Sequence, residues 1–271
     1  MTNRVEIGAV IIGDEILSGK RQDRHQAALI QSLDERGLEL SWVRIVGDDA
    51  SLLTDTFRET RRRDAWVFSF GGIGATPDDR TRACLARALE RPLIRHPEFV
   101  ALLEARFGDD AYPNRVRMAE LPEGSTLIPN PVNGIPGFAC ARHFCVPGFP
   151  SMAQPMVRWV LESQLAELVP TRSVERALRV FGVPESRLVP LLEALEARYP
   201  DLRIFSLPGL HEGQSRVELG VRGEDACSAA AFEALRAGLL EGGFVVSLDA
   251  LEVLPVRGGG ETRVPRDFGV R

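Results

Sequence analysis

Three short stretches of this sequence place glycine beside carboxylates: Gly13-Asp14-Glu15, Gly47-Asp48-Asp49 and Gly71-Gly72-Ile73-Gly74-Ala75-Thr76-Pro77-Asp78-Asp79. In the third, Gly71, Gly72 and Gly74 free the backbone to turn its N–H groups toward one point. Thr76 would then open a helix whose N-terminal end is positive, and such a loop cradles phosphate or another anion. The same residues also form a strong helix start, with Thr76 as N-cap, Pro77 in the first helical position and Asp78 and Asp79 in the first turn. The two readings are compatible. Asp48-Asp49 also reads as a helix cap, and Asp14-Glu15 as a polar turn. Together Asp14, Glu15, Asp48, Asp78 and Asp79 are too many carboxylates for one edge without a counter-ion. Clustered oxygen ligands suit Mg²⁺ or Mn²⁺, which in turn would bridge a pyrophosphate.

Other chemistries lack their residues. Gly19-Lys20 is followed by Arg21, so the P-loop pattern fails, and Pro77 stands where a Rossmann fingerprint needs a later glycine. Gly71-Gly72-Ile73-Gly74 matches the G-x-x-G of a KH domain only formally, because it lies between a strand and a helix. Ser18, Ser69 and Ser186 have no histidine base nearby in sequence, which weighs against a serine hydrolase. Cys84, Cys140, Cys145 and Cys227 form no C-x-x-C pair, so reduced structural thiols are expected instead of a zinc site or a disulfide framework.

The elements that must position the acidic stretches are legible as alternating strands and helices. Strand runs are Val5–Ile12, Ser41–Val46 and Ala65–Phe70, and each ends at one of the three stretches. Helices are expected over 23–36, with Ala27, Ile30 and Leu33 on one face and Gly37 as the stop, and over 52–62, carrying Leu53 and Phe57. Further helices are expected over 78–89, 98–106 and, after a Pro-rich stretch, 152–168. This order predicts a largely parallel sheet covered on both faces, with ligands outside the carboxyl ends of its strands. If the first three strands lie side by side, the three stretches converge on one edge.

Beyond Pro170-Thr171-Arg172-Ser173, a short linker, the pattern changes. A strand over 176–181, an amphipathic helix over 184–198 with Leu188, Leu191, Leu192 and Leu195 on one face, strands around 202–207 and 217–221, a helix over 225–240 and a strand near 244–247 give a βαββαβ unit. The expected division is a ligand-binding domain over 1–169, a small α+β domain over 174–256 and a disordered tail over 257–271. The 271 residues carry 33 basic and 38 acidic side chains, a net charge of −5 that gives no basic field for nucleic acid or an anionic membrane. No apolar run is long enough to span a bilayer, and the first strand lacks a signal-peptide cleavage site, so a cytoplasmic protein is expected.

With these residues assembled, the chain resembles the MoaB/Mog molybdopterin-binding fold, and in particular the N-terminal part of the competence/damage-inducible CinA family. The matching segments are Gly13-Asp14-Glu15-Ile16-Leu17-Ser18-Gly19, Val46-Gly47-Asp48-Asp49, and GGIGATPDDRT from Gly71 to Thr81. They continue as Asn130-Pro131-Val132 with Pro136-Gly137-Phe138, then Val146-Pro147-Gly148-Phe149-Pro150-Ser151 and Pro155-Met156. A weaker likeness runs through Phe181-Gly182-Val183-Pro184-Glu185-Ser186.

The resemblance implies a three-layer, mostly parallel α/β sheet and a pocket for a pterin or nucleotide bearing phosphate or pyrophosphate. It also implies a link, through the CinA branch, to metal-dependent hydrolysis of ADP-ribose-type pyrophosphates. By matching, Asp14, Glu15 and Asp79 would be catalytic, and Asp14, Asp48, Asp78 and Asp79 would hold Mg²⁺ or another divalent metal. Gly13, Ser18, Asp48, Gly71, Gly72, Gly74 and Thr76 would line the ligand and phosphate site. A small-molecule partner and a homo-oligomer, with a dimer favoured, are expected. The chain stops where longer relatives add a nicotinamide-mononucleotide deamidase domain, so that activity is expected to be absent. Three positions depart from the family pattern: His25 in its D-x-N, Ala75 in its G-G-x-G-P-T, and Met152-Ala153 in place of Glu-Met. These departures leave a second reading open, a pterin or nucleotide sensor that binds without turnover.

Overall fold

The computed structural model describes residues 5–168, 173–211, 214–244, 246–247 and 253–255. The chain divides into two units, Met1–Val169 and Pro170–Arg271. The tail expected over 257–271 and linker residues 170–172 lie outside the described residues.

The first unit is built on a six-stranded sheet. Its strand β1 (Ile7–Ile12), second from one edge, is buried along its whole length, as befits a parallel strand covered on both faces. It lies between β2 (Trp42–Val46) and β3 (Trp66–Phe70), parallel to both, with Ile12 opposite Val46 and Ile11 opposite Phe70. On the far side of β3 comes β8 (His143–Val146), again parallel, with Phe70 opposite Val146. β7 (Gly137–Cys140) and β6 (Thr126–Ile128) complete the sheet by two antiparallel pairings, so β6 runs in the direction of β8. A separate small ribbon joins β4 (Leu93–Arg95) to β5 (Glu120–Pro122).

Alternation along β1 feeds two cores. Val10 and Ile12 pack with Leu53 and Phe57 of α3 (Ala50–Arg62) and Leu85 and Ala88 of α4 (Thr81–Leu89). Ile7, Ala9 and Ile11 pack with Leu29 and Leu33 of α2 (His25–Asp34) and Val157 and Leu161 of α6 (Pro150–Ser163). A one-turn α1 (Asp14–Leu17) follows β1, and α5 (Pro97–Phe107) lies between the ribbon strands in sequence. The result is a three-layer α/β unit.

Several expectations change in detail. The helix expected from residue 78 begins at Thr81, and the one expected over 152–168 ends at Ser163. The buried face of α2 is His25, Leu29, Ser32 and Leu33, while Ala27 is exposed. The Asp23 carboxylate sets that phase by accepting the N–H groups of His25 (2.9 Å) and Gln26 (3.1 Å), so the helix starts after it. The Pro-rich stretch holds β6 and the β7–β8 hairpin, each strand only three or four residues long.

The second unit is a sheet in the order β10 (Arg203–His211), β11 (Gln214–Gly223), β9 (Val174–Phe181), β12 (Val246–Ser247), with every pairing antiparallel. An additional strand, β13 (Val253–Pro255), also pairs with β9. Val217, Leu219 and Val221 alternate into a core with Leu195 of α7 (Val189–Arg198) and Phe232, Leu235 and Leu239 of α8 (Asp225–Glu241). Leu188 joins that core from just before α7, and Leu191 and Leu192 pack against it. Among the described residues no helix is long and apolar enough to cross a membrane. All four cysteines are free thiols, three of them buried.

Candidate functional site

Because β2, β1 and β3 are parallel neighbours in near-level register, the stretches beginning at Gly47, Gly13 and Gly71 leave the same edge of the sheet. The Gly13 N–H donates to the Val46 carbonyl (3.0 Å) and the Gly71 N–H to that of Val146 (3.0 Å), extending the ladder one residue past the strands. Asp14 and Asp48, 34 residues apart, are then locked together. The Asp14 N–H donates to Asp48 Oδ2 (3.0 Å), and the Asp48 N–H donates to Asp14 Oδ1 (3.2 Å). The two aspartates after β2 divide their labour. Asp49 is the helix cap, accepting the Leu52 N–H at 2.8 Å, whereas Asp48 is turned toward Asp14.

The glycine loop has its own closure. The Asp79 carboxylate accepts the Thr76 N–H at 2.8 Å and also its hydroxyl, while the Asp79 N–H donates back to the Thr76 carbonyl at 3.0 Å. Thr76 therefore does not cap α4. The cap runs the other way, from Asp79 onto Thr76, and Pro77 and Asp78 form the tip of a turn before the helix. A Cβ at Gly74 would collide with the Asp79 carboxylate, so this closure needs glycine there. At Gly72 (φ 67°) a side chain would be strained and would strike Thr81 Oγ1. The buried Thr81 ties the loop to α4, its hydroxyl donating to the Gly71 carbonyl (2.8 Å) and its N–H to that of Gly72 (3.0 Å).

Two residues not read as part of the site hold it from behind. Arg82, only 7% exposed, donates to the carbonyls of Gly74, Arg117 and Glu120. Burial pulls its pKa down, while the charges of Asp79 and Glu120 oppose that shift. Helical periodicity could not separate a buried arginine here from an exposed one. His25 is buried, stacked on Phe70 with ring centroids 4.6 Å apart, and its Nε2 lies 3.2 Å from the Gly148 carbonyl. Burial holds it below the ordinary histidine range. Its departure from the family pattern thus has a structural use, fastening the loop after β8. Met152, another departure, accepts a hydrogen bond from Asn133 through its sulfur (3.5 Å).

Among the expected site residues, the structure brings Gly13, Asp14, Glu15, Asp48, Gly71, Gly72, Gly74, Thr76, Asp78 and Asp79 to one edge. Ser18 stands exposed at the end of α1. Asp78 is exposed and Asp79 half-buried. The electrostatic signature of convergence is carried by Asp48. Burial foremost pushes its carboxyl above the ordinary range, the Asp14 backbone N–H pulls it back, and the charges of Asp14, Glu15 and Asp78 push it further up.

No group of three or more His, Cys, Asp or Glu among the described residues is placed to hold a metal ion. The described side chains alone therefore do not form a metal cage. The Asp14–Asp48 pair fits a hard cation only in the way Mg²⁺ is commonly held, by one or two carboxylates with substrate phosphate supplying further oxygens.

A three-layer α/β unit with acidic and glycine loops gathered at one sheet edge defines a ligand-binding class of proteins. The chain belongs to the family described as "Probable molybdopterin binding domain", which it matches over residues 8–167. It is 32% identical over 237 residues to a CinA-like protein of Anaeromyxobacter sp. (strain Fw109-5), covering 78% of this chain and 57% of that protein. A CinA-like protein of Anaeromyxobacter dehalogenans (strain 2CP-C) is 34% identical over 192 residues, covering 67% and 46%. The chain thus spans about half the length of these curated relatives. Among solved structures, the protein CinA from Thermoplasma acidophilum aligns with a TM-score of 0.55 at 26% identity, covering 59% of this chain and 98% of that one.

Proposed function

We propose that the first unit binds a molybdopterin- or dinucleotide-type ligand through its phosphate or pyrophosphate, at the edge where the glycine loop faces the Asp14–Asp48 pair. The observation that carries this reading is the pair of closures at that edge. The reciprocal Asp14–Asp48 hydrogen bonds and the Asp79–Thr76 turn fix the two halves of the site. Gly71 spends its N–H on the Val146 carbonyl, so Gly72 and Gly74 are the glycines that would supply backbone N–H donors for anionic oxygens. Asp79, committed to Thr76, shapes the loop, and Asp14 and Asp48 meet the ligand's charge.

Carboxylates and phosphate repel, so a divalent cation belongs to the reading. Held by Asp14 and Asp48, it would neutralise pyrophosphate oxygens and make phosphorus easier to attack. The catalytic form of the proposal is hydrolysis of an ADP-ribose-like pyrophosphate, with Glu15 or Asp14 orienting water. Calorimetric titration with ADP-ribose should show tighter binding in Mg²⁺ than in EDTA, and equal affinity would exclude a metal-bridged pyrophosphate. Incubation with ADP-ribose, FAD and ATP in Mg²⁺, Mn²⁺ or Co²⁺ separates turnover from sensing. Release of AMP from ADP-ribose or FAD marks hydrolysis, and intact ligand that nevertheless binds marks the sensor.

A further inference from the structure

The loop after β8 meets the glycine loop directly. Gly148 lies beside Gly71, where a Cβ on Gly148 would make ordinary van der Waals contact with the Gly71 Cα at 3.4 Å. The next residue, Phe149, has its backbone fixed, since its carbonyl accepts the N–H groups of Met152 and Ala153 at 2.9 Å each in the first turn of α6. Its side chain is nevertheless 55% exposed. The loop after β6 leaves the same edge, because two antiparallel pairings return β6 to the direction of β8. That loop carries a second large apolar side chain in the open, Val132, also 55% exposed. The Asn133–Met152 hydrogen bond brings it against the first turn of α6.

Scattered exposed apolar residues are normal on any surface. Here two of them sit on anchored loops at one edge, and one is a single residue from the contact with Gly71. Asn130, 5% exposed, lies in the β6 loop, and its Oδ1 accepts the Val132 N–H (3.1 Å) while its Nδ2 is buried without a partner. The β6 loop thus offers an apolar surface beside an unspent amide donor.

We infer that Phe149, with Val132, is the platform for the planar heteroaromatic ring of the ligand whose phosphate the glycine loop binds. Purines and pterins share the required chemistry, a flat π-face with hydrogen-bonding edges. This rests on the phosphate reading of the preceding subsection and adds to it the residues that select for a ring.

Three probes with the full chain test it: ADP-ribose, hydroxymethyl-dihydropterin diphosphate and inorganic pyrophosphate, each titrated calorimetrically in Mg²⁺. The wild type should bind the ring-bearing probes more tightly than pyrophosphate. Phe149→Ala should weaken ring-bearing probes roughly tenfold to a hundredfold while leaving pyrophosphate unchanged, and Phe149→Trp should restore affinity. Whichever ring probe loses more identifies the purine or the pterin as the natural ring. Unchanged affinity of Phe149→Ala for both ring probes overturns the platform while the phosphate reading stands. So does a wild type that binds pyrophosphate as tightly as the ring probes. A wild type that binds none of the three overturns both.

Discussion

Asp48 is the residue on which the site's charges accumulate. Its carboxyl is partly buried, faces three other negative charges, and is drawn above the ordinary range despite the Asp14 N–H it accepts. A carboxyl raised in the fold holds its proton more tightly there than in the unfolded chain. Its contribution is therefore fully present below the ordinary carboxylate range and is lost as pH rises through the folded value. At neutral pH the ionised Asp48 is a cost that the fold carries for the site. Asp48→Asn keeps an oxygen for the Asp14 N–H and removes the charge. It should therefore stabilise the unliganded protein near pH 7.5, by less than about 1 kcal/mol after solvent screening. The gain should fade as pH drops through and below the ordinary carboxylate range, as the raised wild-type carboxyl takes up its proton. Thermal melts of both proteins across that range measure it, and a loss of stability at neutral pH would mean that Asp48 is not under net repulsion. Arg82 shows the complementary case. Its NH1 and NH2 groups donate to three backbone carbonyls behind the glycine loop, which stiffens the site, while its Nε is buried without a partner.

At the scale of elements, the start of α4 separates what sequence can and cannot say. Thr-Pro-Asp-Asp is a strong local helix start, yet the chain uses it as a self-closed turn and begins the helix at Thr81. Local propensity lost to tertiary demand, because the Thr81 hydroxyl and N–H are needed on the carbonyls of Gly71 and Gly72. β1 and β3 were legible because buried parallel strands write nearly continuous apolar runs, and the edge strand β2, half-buried and broken by Arg44, because of its Trp, Val and Ile. The acidic edge followed from them, since glycine and carboxylate stood at the end of each run. The β7–β8 hairpin was illegible, its strands of four residues being lost among Pro129, Pro131, Pro136 and Pro147. Phe149 and Val132, which depend on where that hairpin ends, were hidden with it.

The position of the helix start is testable. Thr81→Val removes a buried hydroxyl and leaves the Gly71 carbonyl without that donor, which should cost about 1–3 kcal/mol. Thr76→Val, at an exposed position outside the helix, should stay within about 0.5 kcal/mol of wild type. Urea unfolding of the two variants decides it, and the opposite order would return the cap to Thr76.

At the scale of the whole molecule, each unit has its own hydrophobic centre. The first packs on both faces of β1, and the second is built around β9 and β11. The three tryptophans, Trp42, Trp66 and Trp159, all belong to the first unit, so tryptophan fluorescence reports its unfolding alone, whereas far-ultraviolet circular dichroism reports both. Leu219 is completely buried in the second core. Truncating it to alanine removes most of a packed side chain and should cost about 2–5 kcal/mol. If the two centres unfold as separate cooperative units, Leu219→Ala should move part of the dichroism transition to lower urea and leave the fluorescence midpoint where it is. Affinity for ADP-ribose should then be unchanged as well, because every residue proposed for the site lies within residues 13–149 of the first unit. An equal shift of both signals would show that the cores unfold as one. A fall in affinity with unmoved fluorescence would place part of the binding energy in the second unit, and the site would have to be extended beyond the edge of β1, β2, β3 and β8.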